Sequence, residues 1–163
     1  MASPAAPDRV FVDTQVLLHA DDAAFPERCR QARAWLQALW LRRSGRLSTQ
    51  VLGEYYLLAT QRLQPPGNPG DARAEVRRYQ HWKPWPTDHQ TVETAWAMES
   101  RFGLAWWDAL TVAAAIHQGC RYLLSVQLPH GAVYDSVQVL DPFRVGPEAL
   151  DDARLIPSPR IPA

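Results

Sequence analysis

Three acidic residues interrupt apolar stretches of this chain. Asp13 lies in VFVDTQVLL, Glu54 in STQVLGEYYLL and Asp108 in LAWWDALTVAAA. An ionised carboxylate taken out of water costs several kcal/mol unless it is paired or bound to a metal. Because few basic residues lie in the same stretches, the pattern predicts a shared carboxylate pocket. A hard divalent cation is the simplest species that would relieve the repulsion between the three groups.

Each acid also has a structural interpretation of its own. Asp13 could cap the helix that follows it, and a first-turn Asp108 would gain about 0.3–1 kcal/mol from the helix dipole. Glu54 lies on the Val51 and Leu58 face of its helix, which should be buried, so a solvated Glu is the weaker interpretation there. The occurrence of all three together is what favours a site.

Composition excludes several classes of protein. The chain has 163 residues, 47% hydrophobic and 21% charged, which is typical of one globular domain. Its 17 basic and 17 acidic residues cancel, so no bulk charge attracts nucleic acid. Cys29 and Cys120 have neither metal-binding nor redox spacing. We found no signal peptide and no apolar run long enough to span a membrane, and we expect a cytoplasmic protein.

The elements that must position the acids follow from the hydrophobic pattern. It predicts four strands, at 9–12, 46–48, 122–125 and 137–140. It also predicts helices: a short one through 16–18, one from 26 to 44, one that begins at a cap at Thr49, one over 71–82, one from 87 or 88 to 103, and one over 106–118. Strands separated by helices indicate the α/β class, with a parallel sheet covered by helices. Asp13 would then lie at the carboxyl end of the first strand, where such sheets place their ligands.

The three acidic segments, followed by YLLS, resemble the PIN-domain family, especially VapC-type toxins of bacterial toxin–antitoxin pairs. The resemblance runs from about residue 9 to about residue 143, and LAWWDALTVAAA is its most specific part. It implies a three-layer α/β/α sandwich with a central parallel sheet, and an endoribonuclease dependent on Mg²⁺ or Mn²⁺. By position, Asp13, Glu54 and Asp108 match three acids of the family's metal-binding quartet. We therefore expect a flexible N-terminus at 1–8, a PIN-like domain at 9–145 and a Pro-rich tail at 146–163.

The sequence departs from the family in two motifs. Gln15 replaces the Asn of the usual Asp-Thr-Asn. The fourth motif usually carries an acid after its strand, but this chain has Val126 and Gln127 there, within an otherwise intact frame of Ser125, His130 and Gly131. Ser125 and Gln127 could offer neutral oxygens as weaker metal ligands. A site with one fewer carboxylate should hold a divalent ion more weakly.

The resemblance also implies an RNA substrate, a small antitoxin protein as partner, and a homodimer. A segment that mixes cations with aromatic residues is typical of a surface that follows an RNA backbone and stacks bases, and here it offers Arg77, Arg78 and Lys83. Because 16 of the 17 basic residues are Arg, solvated helix faces are the favoured interpretation of such clusters.

Three functions stay open on the sequence. The first is a metal-dependent ribonuclease that acts as a toxin. The second is a degenerate PIN domain that binds RNA or a protein partner without cleaving, which the loss of the fourth acid favours. The third is a phosphatase of the haloacid dehalogenase type, which needs a second acid at the position of Gln15.

Overall fold

The computed structural model describes residues 3–163 and contains a central five-stranded sheet. Its strands are β1 (Val10–Val12), β2 (Gly45–Arg46), β3 (Tyr122–Leu124), β4 (Val133–Tyr134) and β5 (Val137–Leu140). They lie in the order β2-β1-β3-β5-β4. β1, β2, β3 and β5 are parallel, and β4 is antiparallel to β5. The predicted α/β class is confirmed, with the two-residue strand β4 as an addition that the sequence pattern did not indicate.

Six α-helices connect and cover the sheet: α1 (Thr14–His19), α2 (Pro26–Arg42), α3 (Thr49–Gln61), α4 (Pro69–Arg78), α5 (His89–Phe102) and α6 (Trp106–His117). A 3₁₀ turn at Tyr79–Trp82 continues α4. None of the helices within residues 3–163 combines the length and apolar character that crossing a membrane requires.

Local capping chemistry decides where the helices begin. Ser48, and not the predicted Thr49, caps α3, because its hydroxyl accepts the backbone N–H of Val51. The predicted loop at 64–70 ends earlier than expected, since Asn68 caps a helix that starts at Pro69. Asp88, one of the two predicted caps, accepts the backbone N–H of Thr91 at the start of α5.

The core lies between the sheet and its helices. All three residues of β1 are fully buried, as are Leu123 and Leu124 of β3. β1 therefore runs through the middle of the sheet with apolar side chains on both faces, as expected for a parallel strand covered on both sides. Because β1 is buried, the residue that follows it, Asp13, lies at the edge of the core.

Residues near both ends of the chain, Asp8 and Arg160, contact the rest of the domain. Residues 1 and 2 of the predicted flexible N-terminus lie outside the described residues, and Asp8 forms an ion pair with Arg121 at 2.9 Å. The predicted tail contains 3₁₀ turns at Pro147–Leu150 and Ala153–Leu155. Arg160 then exchanges backbone hydrogen bonds with Gly131 and Val133 beside β4. The domain boundaries at 8 and 145 stay predictions.

Candidate functional site

Asp13 lies where β1 ends and α1 begins. Its backbone N–H makes the last hydrogen bond towards β3, to the carbonyl of Leu124. Its Oδ1 accepts the backbone N–H of Thr14 at 2.7 Å, so the predicted cap is present. Only 8% of Asp13 is exposed. Burial foremost, and then the charges of Glu54 and Asp108, raise the pKa of Asp13 to about 6.

Glu54 is tied to α1 through Thr14. The Thr14 hydroxyl donates to Glu54 Oε2 at 2.8 Å, while the amide of Gln50, one helical turn earlier on α3, donates to Oε1 at 3.0 Å. Thr14 therefore holds two of the three acids, with its backbone N–H on Asp13 and its hydroxyl on Glu54. As the sequence predicts, Glu54 is partly buried and not a freely solvated surface residue.

Asp108 enters from the first turn of α6 and is half-buried. Burial first, and then the charge of Glu54, raise its pKa. Tyr134 of β4 is buried near it, and the pKa of this phenol is raised by burial and then by the charge of Asp108. The edge strand β4 thus places the phenol of Tyr134 near Asp108.

The three acids form one electrostatic unit without a compensating cation. The charges of Glu54 and Asp108 both raise the pKa of Asp13, and the charge of Glu54 raises the pKa of Asp108. In the part of the chain that the structure describes, no Lys or Arg pairs with any of them. An excess of carboxylate oxygens in a poorly hydrated place is a donor set that suits a hard divalent cation.

The acids are nevertheless not gathered into a ready-made metal centre. Among residues 3–163, no group of three His, Cys, Asp or Glu side chains is arranged closely enough to hold an ion. Mutual repulsion between uncompensated carboxylates favours such a spread arrangement. The residues fit a divalent cation by their chemistry and charge, and binding would require the side chains to converge.

Ser125, the first residue after β3, completes the buried edge of the site. Its hydroxyl is fully buried and lies 3.4 Å from Asp13 Oδ2, to which it donates. The same oxygen accepts the backbone N–H groups of Gln127 and Leu128 at 3.2 and 3.3 Å. Ser125 therefore closes the turn that follows β3 and stabilises the Asp13 carboxylate.

The two residues that replace the family's fourth acid supply no charge here. Val126 is partly buried and Gln127 is exposed. Within the described chain, the side-chain amide of Gln127 makes no hydrogen bond, and only its backbone N–H is bonded, to Ser125. His130 has a structural contact, because the backbone N–H of Asp141 donates to its Nδ1 at 2.9 Å.

The predicted RNA-binding residues are only partly free to bind. Arg78 is paired with Glu75 and lies 4.6 Å from the ring centre of Trp40. Arg77 and Lys83 are exposed, and Arg77 lines a groove between α3 and α4. Whether these cations bind RNA stays a prediction.

The aromatic residues of the same segment are packed within the protein. Trp82 is 4% exposed and contacts Trp40 and Tyr79. Trp85 stacks on His117 with ring centres 5.5 Å apart. The Trp82 indole is therefore not available to stack bases in the way that the sequence pattern suggested, and the partly buried Trp85 already stacks on a side chain of the protein.

Three residues at the site were missed from the sequence: Thr14, Gln50 and Tyr134. Gln50 precedes Glu54 by four positions on one helix, and this spacing could have indicated the contact. Thr14 follows Asp13 directly, but its bond to Glu54 joins two helices that are distant in sequence. Tyr134 carries no local signal, because only the pairing of β4 with β5 brings it to the acids.

Comparison with known proteins gave a family match and a structural likeness. The family model of the PIN domain matches residues 10–126, more than half of the chain. No curated protein matches. Among solved structures, the chain is similar to VapC20 of Mycobacterium tuberculosis, a toxin that cleaves the sarcin-ricin loop. The two share 21% sequence identity at a TM-score of 0.51, over 70% of this chain and 86% of that chain.

The structural likeness to VapC20 supports the fold, and the match to the family model identifies the family of the chain. The matched residues contain all three acids, Thr14, Gln50 and Ser125, and they end at Val126, before Gln127 and Tyr134. The haloacid dehalogenase interpretation is wrong, since the match covers the strand and Asp13 on which that interpretation depended. This chain belongs to the PIN-domain family.

Proposed function

We propose that the protein is a metal-dependent endoribonuclease that cleaves RNA phosphodiesters. The observation that carries this proposal is the electrostatic coupling of Asp13, Glu54 and Asp108 at one end of the sheet, with no cation to offset it. Such an arrangement is costly for folding, and a cost of this kind is typical of a functional site. The fold shared with a ribonucleolytic toxin supports the same reaction class.

In this proposal the three acids hold a divalent ion, Mg²⁺ or Mn²⁺. When bound, the ion supplies an activated water and offsets charge on the phosphate. Thr14 and Gln50 fix the Glu54 carboxylate, and Ser125 fixes Asp13. In the metal-free protein burial raises the pKa of Asp13 to about 6, and a bound cation would lower this pKa because it favours the ionised form.

Calorimetric titration with Mn²⁺ tests the metal site independently of activity. We expect a weak site in the wild type and none in Asp13→Asn or Asp108→Asn. Glu93→Gln is the control, since it removes one acid from an exposed ion pair with His89 on α5. If both site variants bind Mn²⁺ like the wild type, the shared carboxylate pocket is wrong.

Cleavage is tested with single-stranded RNA. The wild type should cut slowly with Mg²⁺ or Mn²⁺, EDTA should abolish the cut, and Asp13→Asn should remove it. A wild type that binds Mn²⁺ but never cuts RNA would contradict the nuclease while leaving the metal site intact.

We also propose that the cellular role is that of a toxin controlled by a small antitoxin protein, because the fold is shared with VapC20. The test is whether the product of an adjacent short reading frame binds the protein and suppresses its cleavage. A homodimer is proposed on the same grounds, and sedimentation equilibrium measures it directly. A monomer at micromolar concentration would contradict the dimer alone.

A degenerate, non-cleaving PIN domain is the second candidate. Two observations favour it: Gln127 supplies no charge where the family has an acid, and the three acids are not arranged as a ready-made metal centre among residues 3–163. It predicts RNA or protein binding without any metal-dependent cleavage by the wild type.

A further inference from the structure

Trp107 differs from the other tryptophans near the core. It is 62% exposed, whereas Trp35 is fully buried and Trp82 is 4% exposed. Within the described residues it has no aromatic or cationic partner and its Nε1 makes no hydrogen bond. A large indole left in water forgoes the burial that normally stabilises it. Single exposed apolar side chains are common, so the position of Trp107 relative to the acids decides whether its exposure has a function.

Trp107 is also the residue directly before Asp108 in the first turn of α6. A second large apolar side chain is exposed next to another acid of the cluster: Leu57 is 49% exposed and lies three residues after Glu54 on α3. Trp107 and Leu57 therefore each lie within one helical turn of an acid of the cluster, on α6 and α3 respectively. Both acids thus have an exposed apolar neighbour on their own helix.

Electrostatics alone would not bring RNA to this place. The protein has a formal net charge of zero, and the acids repel a phosphate backbone. Uncharged contacts near the acids would therefore add to what a bound metal ion and the exposed cations contribute to RNA binding. Stacking of a base on an indole is such a contact, because every base presents a π-face and no charge is needed.

Resting on the ribonuclease function proposed above, we propose that Trp107 is the platform on which an unpaired base of the substrate stacks beside Asp108. A base within a duplex already stacks on its neighbours and does not offer its face. The substrate class is consequently single-stranded RNA or the unpaired loop of a folded RNA. Trp82 is buried, and Trp107, unlike the exposed Trp96, lies in the same helical turn as an acid of the cluster.

The test compares four single variants: Trp107→Ala, Trp107→Phe, Trp107→Leu and the matched control Trp96→Ala. Trp96 is the other strongly exposed tryptophan, 49% exposed on α5, and it lies outside the acidic cluster. Affinity for a short unstructured RNA is measured in EDTA by fluorescence anisotropy, and KM is measured with metal. Melting temperatures should change little in all four, since both side chains are largely exposed, and they check that each variant folds.

Trp107→Ala should weaken Kd and raise KM by roughly 5- to 150-fold, the range expected for one stacked base. Trp107→Phe should retain most of the affinity, Trp107→Leu should lose as much as Ala, and Trp96→Ala should stay within about twofold of wild type. The same RNA annealed to its complement should bind weakly and respond little to any variant.

Three outcomes would overturn the proposal. They are an unchanged Kd and KM in Trp107→Ala, a Trp107→Leu variant that binds like the wild type, or an equal loss in Trp96→Ala. With a wild type that binds or cuts RNA, these outcomes leave the ribonuclease function standing. A wild type that neither binds nor cuts RNA removes both proposals.

Discussion

The hydroxyl of Thr14 donates a 2.8 Å hydrogen bond to Oε2 of Glu54, and this bond joins two helices across 40 positions of sequence. The backbone N–H of the same threonine holds Oδ1 of Asp13 at 2.7 Å. One small, buried residue thus fixes the relative placement of two carboxylates that repel each other. Its position after β1 is what lets it reach both.

Thr14→Val should loosen Glu54 while leaving Asp13 capped. Valine keeps the shape and the backbone N–H, so only the hydrogen bond to Glu54 is lost. We expect Mn²⁺ affinity to fall roughly 10-fold, as when other outer partners of metal ligands are removed. Calorimetry measures this, and Thr14→Ser, which retains a hydroxyl, should behave like the wild type. Equal affinity in Thr14→Val would mean that Gln50 alone positions Glu54.

Asp13→Asn should stabilise the metal-free protein at neutral pH. A carboxyl whose pKa rises from 3.8 in the unfolded chain to about 6 in the fold destabilises the fold by about 3 kcal/mol when it is ionised. The cost is absent below about pH 4 and complete above about pH 6, so the stability of the wild type should fall as pH rises through this window.

Urea unfolding in EDTA at pH 4 and pH 7.5 measures this effect. The variant should be more stable than the wild type at pH 7.5. The difference should shrink at pH 4, where Asp13 is protonated in the fold and about half protonated in the unfolded chain. A difference that is the same at both pH values would mean that the ionised carboxylate is not the source of the instability.

The parts of this site that were predictable are those set by local pattern. The apolar run before Asp13 and the helical pattern around Asp108 placed both acids correctly on their elements. Tyr134 was not predictable, because a two-residue strand has no periodicity and depends on its pairing with β5. The burial of Trp82 was hidden for a similar reason, since its partner Trp40 belongs to a different helix.

Gln127→Asp should strengthen divalent binding by restoring the charge that the fourth motif lacks. Mg²⁺ and Mn²⁺ favour carboxylate oxygens over amide oxygens. Affinity for Mn²⁺ and metal-dependent cleavage of single-stranded RNA should rise together, and Gln37→Asp on the exposed side of α2 should change neither. Rescue of an inactive wild type by Gln127→Asp would support the degenerate interpretation. No gain in affinity would show that position 127 lies outside the site.

Ser125→Ala should destabilise the protein, whereas Ser44→Ala should not. Both serines are buried, but the Ser125 hydroxyl accepts two backbone N–H groups and the Ser44 hydroxyl has no partner among the described residues. Leaving buried donors unpaired costs about 1–3 kcal/mol, while removing an unpaired hydroxyl relieves a cost of similar kind. Thermal unfolding in EDTA compares the two. Equal melting temperatures would mean that water replaces the Ser125 bonds.

Two glycine substitutions separate close packing from helix propensity. A Cβ on Gly45 of β2 would overlap the indole of the buried Trp82, whereas a Cβ on Gly53 of α3 meets nothing within 4 Å. Gly45→Ala should therefore destabilise the domain by about 1–3 kcal/mol through overpacking. Gly53→Ala should stabilise it by about 1 kcal/mol, because alanine favours the helix. Each kcal/mol corresponds to about 2–4 °C in a domain of this size, so calorimetry resolves both. A Gly45→Ala variant as stable as the wild type would mean that the Trp40, Tyr79 and Trp82 cluster can shift away from β2.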